Sequence, residues 1–270
     1  MRVIREAACG IAAAVGCALA LAPAAIAGSP THRFDTVVID AGHGGGDSGA
    51  YSPRGYAEKT LVLEVARLLA TRLRAEGLIV VQTRDDDTFV PLETRTAIAN
   101  DASGDLFLSI HANAASDPEI HGTETFFLSL EASDEYARRV ALRENAAFGA
   151  ETPSPAVIDD PLIAILGDMI ANEHARESSE FARLAQARLG GIDPASSRGV
   201  KQAPFVVLMG VQMPASLVEI GFITNLADER TLHSQGGRQR IVEALAESVR
   251  EFGRRYDERR GVVRASRGAR

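Results

Sequence analysis

The sequence predicts a three-layer α/β domain in which a central β-sheet lies between helices. Three observations support this fold class. Short apolar runs rich in Val, Ile and Phe, typical of buried strands, recur along the chain. Segments with helical periodicity lie between them. The 270 residues suffice for one large domain, and strands that alternate with helices are the pattern of layered α/β proteins.

The apolar runs predict the strands of the central sheet. Each run is short and is bounded by polar or turn-forming residues. The predicted strands span residues 34–40, 78–83, 106–110, 123–128, 205–208 and 215–220.

The helices of the domain are predicted from apolar residues at helical spacing. A first helix over residues 58–76 has a polar opposite face and is followed by Gly77, a C-cap signal. A second helix is predicted over residues 92–102, and a last one over about 238–252.

Residues 131–172 interrupt this rhythm. They contain a charged helical segment at 134–148, a Pro-containing linker and an apolar segment that leads into a helix at 173–189. A compact domain needs no such length here, so we interpret the segment as a helical insertion. An extra helical hairpin on the surface is the simpler alternative.

The first 27 residues are predicted to be a secretory signal peptide. A basic start, an apolar stretch and an Ala-Ile-Ala cleavage pattern support this, although an uncleaved membrane anchor is the alternative. Both cysteines, Cys9 and Cys17, lie in this leader. The exported chain therefore has no disulfide and no cysteine ligand for a metal.

The net charge of the chain limits the classes of molecule that it is expected to bind. The formal net charge of −7 gives no electrostatic reason to bind nucleic acid or an anionic membrane, and no further apolar span follows the leader. From Gly253 onward seven arginines stand among small and acidic residues. We expect residues 253–270 to form a flexible basic tail after a catalytic domain at 28–252.

Two histidines end predicted strands and are candidate metal ligands. His43 follows the run Val37–Asp40, and His111 follows Leu106–Ile110. Side chains at strand ends meet at the sheet edge where α/β proteins place their sites, although a single such histidine is more often structural. Glu58 is the best carboxylate to complete the set, with Glu64 as a rival.

Two further acids are candidates for a role at this site. Glu219 stands alone in an apolar strand end, which calls for a task such as that of a general base. Asp47, four residues after His43, is either a ligand or a brace for the loop; we favour the brace.

The motifs GHGG (42–45), SIHANA (109–114) and LVEIGFITN (217–225), in this order and with an acid after the first, resemble the Amidase_3 family of zinc-dependent N-acetylmuramoyl-L-alanine amidases. The resemblance extends over residues 34–252. It implies a central mixed sheet, one Zn²⁺ held by His43, Glu58 and His111, and Glu219 as general base.

The family resemblance also implies the reaction. Such an enzyme hydrolyses the amide between N-acetylmuramic acid and L-Ala of peptidoglycan, in wall remodelling or cell separation, and we expect it in the periplasm. The alternatives are a zinc peptidase that cuts within the stem peptide and a wall-binding protein without catalysis.

Some similar amidases carry a helical insertion that covers the zinc until an activator protein removes it. Glu144, Asp159 and Asp160 are the acids in the insertion that we consider for this role.

Three further side chains are candidate substrate contacts. Arg84 and Arg95 either contact peptide carboxylates or pair with the acids at 85–87, and Asn113 either binds substrate or caps a turn.

Overall fold

A computed structural model describes residues 32–146 and 174–262, so the predicted signal peptide and residues 147–172 of the predicted insertion lie outside the described part. The described residues form one six-stranded mixed sheet of order β2-β1-β3-β6-β4-β5. All neighbouring strands are parallel except β4 and β6. The strands are β1 (Thr36–Ala41), β2 (Ile79–Gln82), β3 (Leu106–Asn113), β4 (Thr123–Leu128), β5 (Ser197–Ala203) and β6 (Ala215–Phe222).

Helices cover both faces of the sheet, which confirms the predicted three-layer fold. Two separate apolar cores result, one on each face. Alternate residues of β1 and β3 enter opposite cores, as the two-residue period of a strand requires. The helices are α1 (Glu58–Ala75), α2 (Leu92–Asp101), α3 (Glu135–Ala146), α4 (His174–Gly190), α5 (Leu226–His233) and α6 (Gln235–Arg259).

One predicted strand is wrong. Residues 205–208 do not enter the sheet, because Val206–Leu208 forms a short 3₁₀ turn whose apolar side chains pack into the core beside α2. The sheet instead gains β5, which carries Arg198, Lys201 and Gln202. This strand pairs only with β4, at the edge of the sheet.

The predicted boundary of the basic tail is also wrong. Helix α6 continues through Arg259, past the predicted start of the tail at Gly253. Phe34 explains the extension, because its backbone N–H donates to Asp257 at 2.8 Å and its ring packs against Tyr256. Residues 263–270 lie outside the described part.

The directions of the strands bring several strand ends to one edge of the sheet. The C-terminal ends of the parallel strands β1, β3 and β6 lie at this edge, and because β4 is antiparallel to β6, the starts of β4 and β5 lie there too. None of the helices in residues 32–146 and 174–262 combines the length and apolarity that crossing a bilayer requires.

Candidate metal centre

The structure brings His43, Glu58 and His111 together at this edge. His43 follows β1, Glu58 opens α1 and His111 lies near the end of β3. Glu58 Oε1 is 3.0 Å from His43 Nε2 and 3.3 Å from His111 Nδ1. All three side chains are buried. The strand-end placement that suggested these residues from the sequence thus produces a single cluster.

A fourth donor, Glu144, reaches the same cluster from α3. Its Oε2 atom lies 2.9 Å from His111 Nδ1 and 3.4 Å from His43 Nε2. One donor atom from each of the four residues lies within 4.8 Å of the others. Glu144 therefore lies directly beside both imidazoles.

The donor atoms fit a metal ion. His43 Nε2, His111 Nδ1 and Glu144 Oε2 are buried and make no hydrogen bond within residues 32–146 and 174–262. Buried polar atoms nearly always have a hydrogen-bond partner, so three such atoms that converge on one point need another explanation. Imidazole nitrogen and carboxylate oxygen are donors that zinc accepts, and a cation at this point would satisfy all of them.

The backbone holds Glu58 and His43 in position. Both carboxylate oxygens of Glu58 accept a backbone N–H, from Ala112 at 2.9 Å and from Ala50 at 3.0 Å. His43 Nδ1 lies 2.8 Å from Asp47, which leaves Nε2 to face the cluster. Asp47 thus braces a candidate ligand, the alternative that we favoured from the sequence.

The rival carboxylate, Glu64, lies away from the cluster. Its side chain is half exposed and pairs with Arg238 of α6 at 3.5 Å. The helical period explains this placement, since Glu64 is on the polar face of α1 while Glu58 is at its first position.

Arg84 and Arg95 point into the protein, which does not favour the contact with peptide carboxylates that was one of two alternatives from the sequence. Both are buried, with 4% and 1% of the residue exposed. Arg84 donates to the carbonyl oxygens of Ala41 and Gly42, and Arg95 donates to those of Ala41 and His43. The two guanidinium groups instead fix the loop that carries His43.

Opposite charges in the cluster shift its pKa values in opposite directions. Burial opposes protonation of His43, but the charge of Glu58 and the contact with Asp47 raise its pKa to about 12. Burial likewise opposes the charge of Glu58, but His43 and His111 lower the pKa of that carboxyl to about 2. In the absence of a cation, protonated imidazoles therefore balance the carboxylates.

Glu219 lies next to this cluster without taking part in it. It pairs directly with His111 across β3 and β6 and is fully buried. In the part of the chain that the structure describes, neither of its carboxylate oxygens makes a hydrogen bond. Burial and the neighbouring Glu144 carboxylate raise the pKa of Glu219 well above its usual range. A buried carboxyl with raised pKa beside a metal site is suited to accept and return a proton.

Asn113 is covered by α3. Its side-chain amide donates to Glu124 at 2.6 Å and to the Tyr136 hydroxyl at 3.1 Å, and its Oδ1 accepts from Arg143 at 2.9 Å. A contact between Asn113 and substrate therefore requires that α3, which carries Tyr136 and Arg143, moves away. That contact stays a prediction.

Two acids of the site, Glu124 and Glu144, have sequence signals that could have identified them. Glu124 stands in an apolar strand, as Glu219 does. Glu144 follows Ala137, Val140 and Ala141 at spacings of three or four residues, which places it on the buried face of α3. We named Glu144 from the sequence only as one of three acids that could cover the metal.

A buried donor set of this kind beside a proton-accepting carboxyl is typical of metal-dependent hydrolases. Comparison with known proteins identifies the kind of hydrolase. Residues 37–251 match the Amidase_3 family, described as N-acetylmuramoyl-L-alanine amidase. Escherichia coli AmiA, an amidase of this name, is 36% identical over 222 residues, which cover 82% of this chain and 77% of that protein.

Two further relatives agree with this match. Neisseria meningitidis AmiC is 34% identical over 224 residues, and the chain spans 53% of the length of that protein. The crystal structure of an N-acetylmuramoyl-L-alanine amidase from Clostridium difficile 630 superposes with a TM-score of 0.62 at 28% identity, covering 82% of this chain and 97% of that one. The chain belongs to the N-acetylmuramoyl-L-alanine amidase family. It is a hydrolase with amidase activity on peptidoglycan.

Proposed function

We propose that this amidase is a zinc enzyme in which His43, Glu58 and His111 hold one Zn²⁺. The observation that carries the proposal is the convergence of His43 Nε2 and His111 Nδ1, buried and without hydrogen bonds, on the carboxylate of Glu58. Three protein ligands leave one position for reactants, which is the usual arrangement in catalytic zinc sites.

The residues around the ion divide the chemistry between them. Zinc, when bound, polarises an amide carbonyl and activates water for attack. Glu219 accepts the proton of the attacking water and returns it to the departing amino group of L-Ala, because an amine must be protonated as it leaves. Its full burial keeps the proton away from bulk water between the two steps.

We further propose that α3 keeps the enzyme closed. Glu144 takes the reactant position beside both histidines, and its charge also contributes to the raised pKa of Glu219. Arg143 fastens this end of α3, because it donates to Glu144 at 2.8 Å and to the carbonyl oxygen of Ala114 at 2.6 Å. An activator protein that displaces α3 would open the site to peptidoglycan.

The place of action is proposed from the leader. The basic start, apolar stretch and cleavage pattern of residues 1–27 are those of an exported protein. Peptidoglycan lies outside the cytoplasmic membrane, so export brings the enzyme to its substrate. We propose the periplasm as its compartment.

The test uses the full mature chain with the substitution Glu144→Ala, since deleting α3 would uncover the core against which Ala137 and Val140 pack. Purified peptidoglycan is digested with zinc present, and the products are identified by mass spectrometry. We expect free stem peptides that start at L-Ala, loss of activity with a chelator and recovery with zinc.

The control variant adds Glu219→Gln. It should retain bound zinc but lose activity by about 100-fold or more, the usual contribution of general acid–base catalysis. Shortened stems still attached to muramic acid would instead indicate a peptidase. Undiminished activity of metal-free protein, or of the Glu219→Gln variant, would contradict the assigned roles.

A further inference from the structure

Two cations on β5 are not used by the reaction as proposed so far. His111, Glu219 and Glu124 lie in register on β3, β6 and β4, so they form a row across three neighbouring strands. Strand β5 is next in the sheet, and it carries Arg198 and Lys201 at the same edge. The row that begins at the metal centre therefore ends at these two cations.

Within the described residues, these two cations share the Glu124 carboxylate. Lys201 Nζ lies 3.0 Å and Arg198 Nε 3.6 Å from the same oxygen of Glu124. The other oxygen of Glu124 already accepts from Asn113 and from the Tyr136 hydroxyl. Two cations thus face one carboxylate, and Arg198 Nε is buried without a hydrogen bond. This leaves an excess positive charge with donors to spare.

An open cleft adjoins the side chains of Arg198 and Lys201. Its volume is about 500 Å³, and it is lined by Arg198 and Lys201 together with His121, Ser196, Ser197 and Glu119. Glu119 is the one acid among the described residues that line the cleft, and it is exposed. Arg198 and Lys201 are both partly buried. A carboxylate that enters the cleft meets two cations and hydroxyl groups, which is the chemistry of an anion site.

Helix α3 also covers the same cations. The aromatic ring of Tyr136 packs against both cations, with its centroid 4.9 Å from the guanidinium of Arg198 and 4.1 Å from Lys201 Nζ. The helix that places Glu144 at the metal centre therefore also covers the row as far as β5. When α3 moves away, the row becomes one continuous surface.

The spacing fits the peptide part of the substrate. Three strand spacings of about 4.8 Å separate β3 from β5, a total of about 14 Å. An extended peptide advances about 3.4 Å per residue, so a chain whose first amide is at the metal reaches β5 after about four residues. A stem peptide has this length and carries free carboxylates.

We propose that Arg198 and Lys201 form a subsite that binds a carboxylate of the stem peptide, which makes this amidase selective for acidic stems. The proposal rests on the proposed function, because it takes the scissile amide to be at His43, Glu58 and His111. Lys201 and Arg198 bind the carboxylate from the cleft side, while Glu124 keeps both cations in place.

The test measures binding rather than hydrolysis. The protein is the full mature chain with Glu144→Ala, and the ligands are a synthetic stem peptide with free carboxylates and the same peptide with carboxamides. By calorimetry we expect the carboxylate form to bind about tenfold tighter, the effect of one charge-assisted hydrogen bond. Adding Lys201→Gln should abolish that preference.

Two matched variants keep the result interpretable. Arg183→Gln removes an exposed cation of α4 on the opposite face of the sheet and should leave the preference unchanged. Lys201→Arg retains the charge and should retain the preference, even if Lys201→Gln affects the packing around Glu124. Circular dichroism checks that each variant is folded.

Equal binding of the two peptides, or tighter binding of inorganic phosphate than of the carboxylate peptide, would overturn the subsite. So would an equal loss in Lys201→Gln and Arg183→Gln. The digestion of peptidoglycan tests the proposed function separately. Binding selectivity without release of stems at L-Ala would contradict only the reaction, and release of stems without selectivity would contradict only the subsite.

Discussion

Single backbone positions determine where the imidazoles of the metal centre lie. A Cβ atom on Gly42 would be 2.4 Å from the ring of His111, so the ring can occupy its place only because residue 42 has no side chain. His43 adopts a φ of 60°, in the left-handed region that costs energy for a residue with a Cβ. Arg95 donates to the carbonyl oxygen of His43 at 2.7 Å and offsets that cost.

The substitution Gly42→Ala should therefore weaken zinc binding while leaving the fold intact. The added methyl group must displace the His111 ring, and a misplaced ligand in a metal site costs about tenfold or more in affinity. The measurement is zinc content after dialysis against a graded chelator series. Gly46→Ala is the control, because no atom lies within 4 Å of the point that a methyl group on Gly46 would occupy. Equal zinc retention by both variants would contradict the steric argument.

The sequence could place these candidate ligands but not the arginines around them. A histidine after a buried strand emerges at the sheet edge, so strand prediction gives the positions of His43 and His111, while their proposed role as ligands also depends on the family resemblance. The direction of a long, flexible side chain depends on which carbonyl groups lie in reach. Arg84 and Arg95 fold back onto the loop of residues 41–43, and nothing in their own segments indicates this.

At the scale of elements, α3 is the helix that the proposed regulation would move. Its apolar side packs against the core through Ala137, Val140 and Ala141, all of them small or medium-sized residues. Its polar side chains hold it at both ends, where the Tyr136 hydroxyl donates to Glu124 and Arg143 donates to Asn113. Displacing the helix must break these contacts, so the loss of one of them lowers the free-energy cost of opening.

We expect Arg143→Gln to raise the amidase activity of the intact chain by about tenfold. The substitution removes charge-assisted hydrogen bonds to Glu144 and Asn113, each worth about 1.5–3 kcal/mol, so the closed helix is populated less. Release of soluble stem peptide from peptidoglycan gives the rate. Arg138→Gln, an exposed arginine of the same helix that pairs with Glu135, should leave the rate unchanged. An unchanged or lower rate in Arg143→Gln would show that Arg143 does not hold the site closed.

Strand β5 shows where sequence patterns fail at this scale. Its segment Ser197–Ala203 is polar and contains a glycine, and it lacks the alternation that marks a half-buried strand. It is held by backbone pairing with β4 at the sheet edge, which any residue except proline can provide. The apolar run at 205–208 gave the stronger strand signal because burial, not strand pairing, is what such a run reports.

At the scale of the whole molecule, one buried carboxylate joins four elements behind the metal site. Asp40 of β1 accepts from Thr83 after β2 at 2.6 Å, from Ser109 of β3 at 2.7 Å and from Arg95 of α2 at 2.7 Å. Both Asp40 and Arg95 are almost fully buried. The pair therefore links the sheet and α2 to the loop that carries His43.

This network gives the fold a defined response to acid. Burial alone would raise the pKa of Asp40, but the charge of Arg95 and the hydrogen bonds from Thr83 and Ser109 lower it below 3.8. A carboxyl with a lowered pKa in the folded state stabilises the protein above its unfolded pKa, and this contribution is lost as the pH falls through the folded value.

The substitution Asp40→Asn should therefore lower the free energy of unfolding at pH 7 by about 3–5 kcal/mol, because it removes the charge of one partner in the buried Asp40–Arg95 ion pair. The difference from the unsubstituted chain should shrink below about pH 3.8, as Asp40 itself becomes protonated. Urea unfolding at several pH values, with a chelator present so that metal binding does not contribute, measures both effects. Asp85→Asn, at an exposed position after β2, should change stability by less than about 0.5 kcal/mol. A difference for Asp40→Asn that stays constant from pH 7 to pH 3 would mean that the Asp40 charge does not contribute to folding, and that the buried network acts through packing alone.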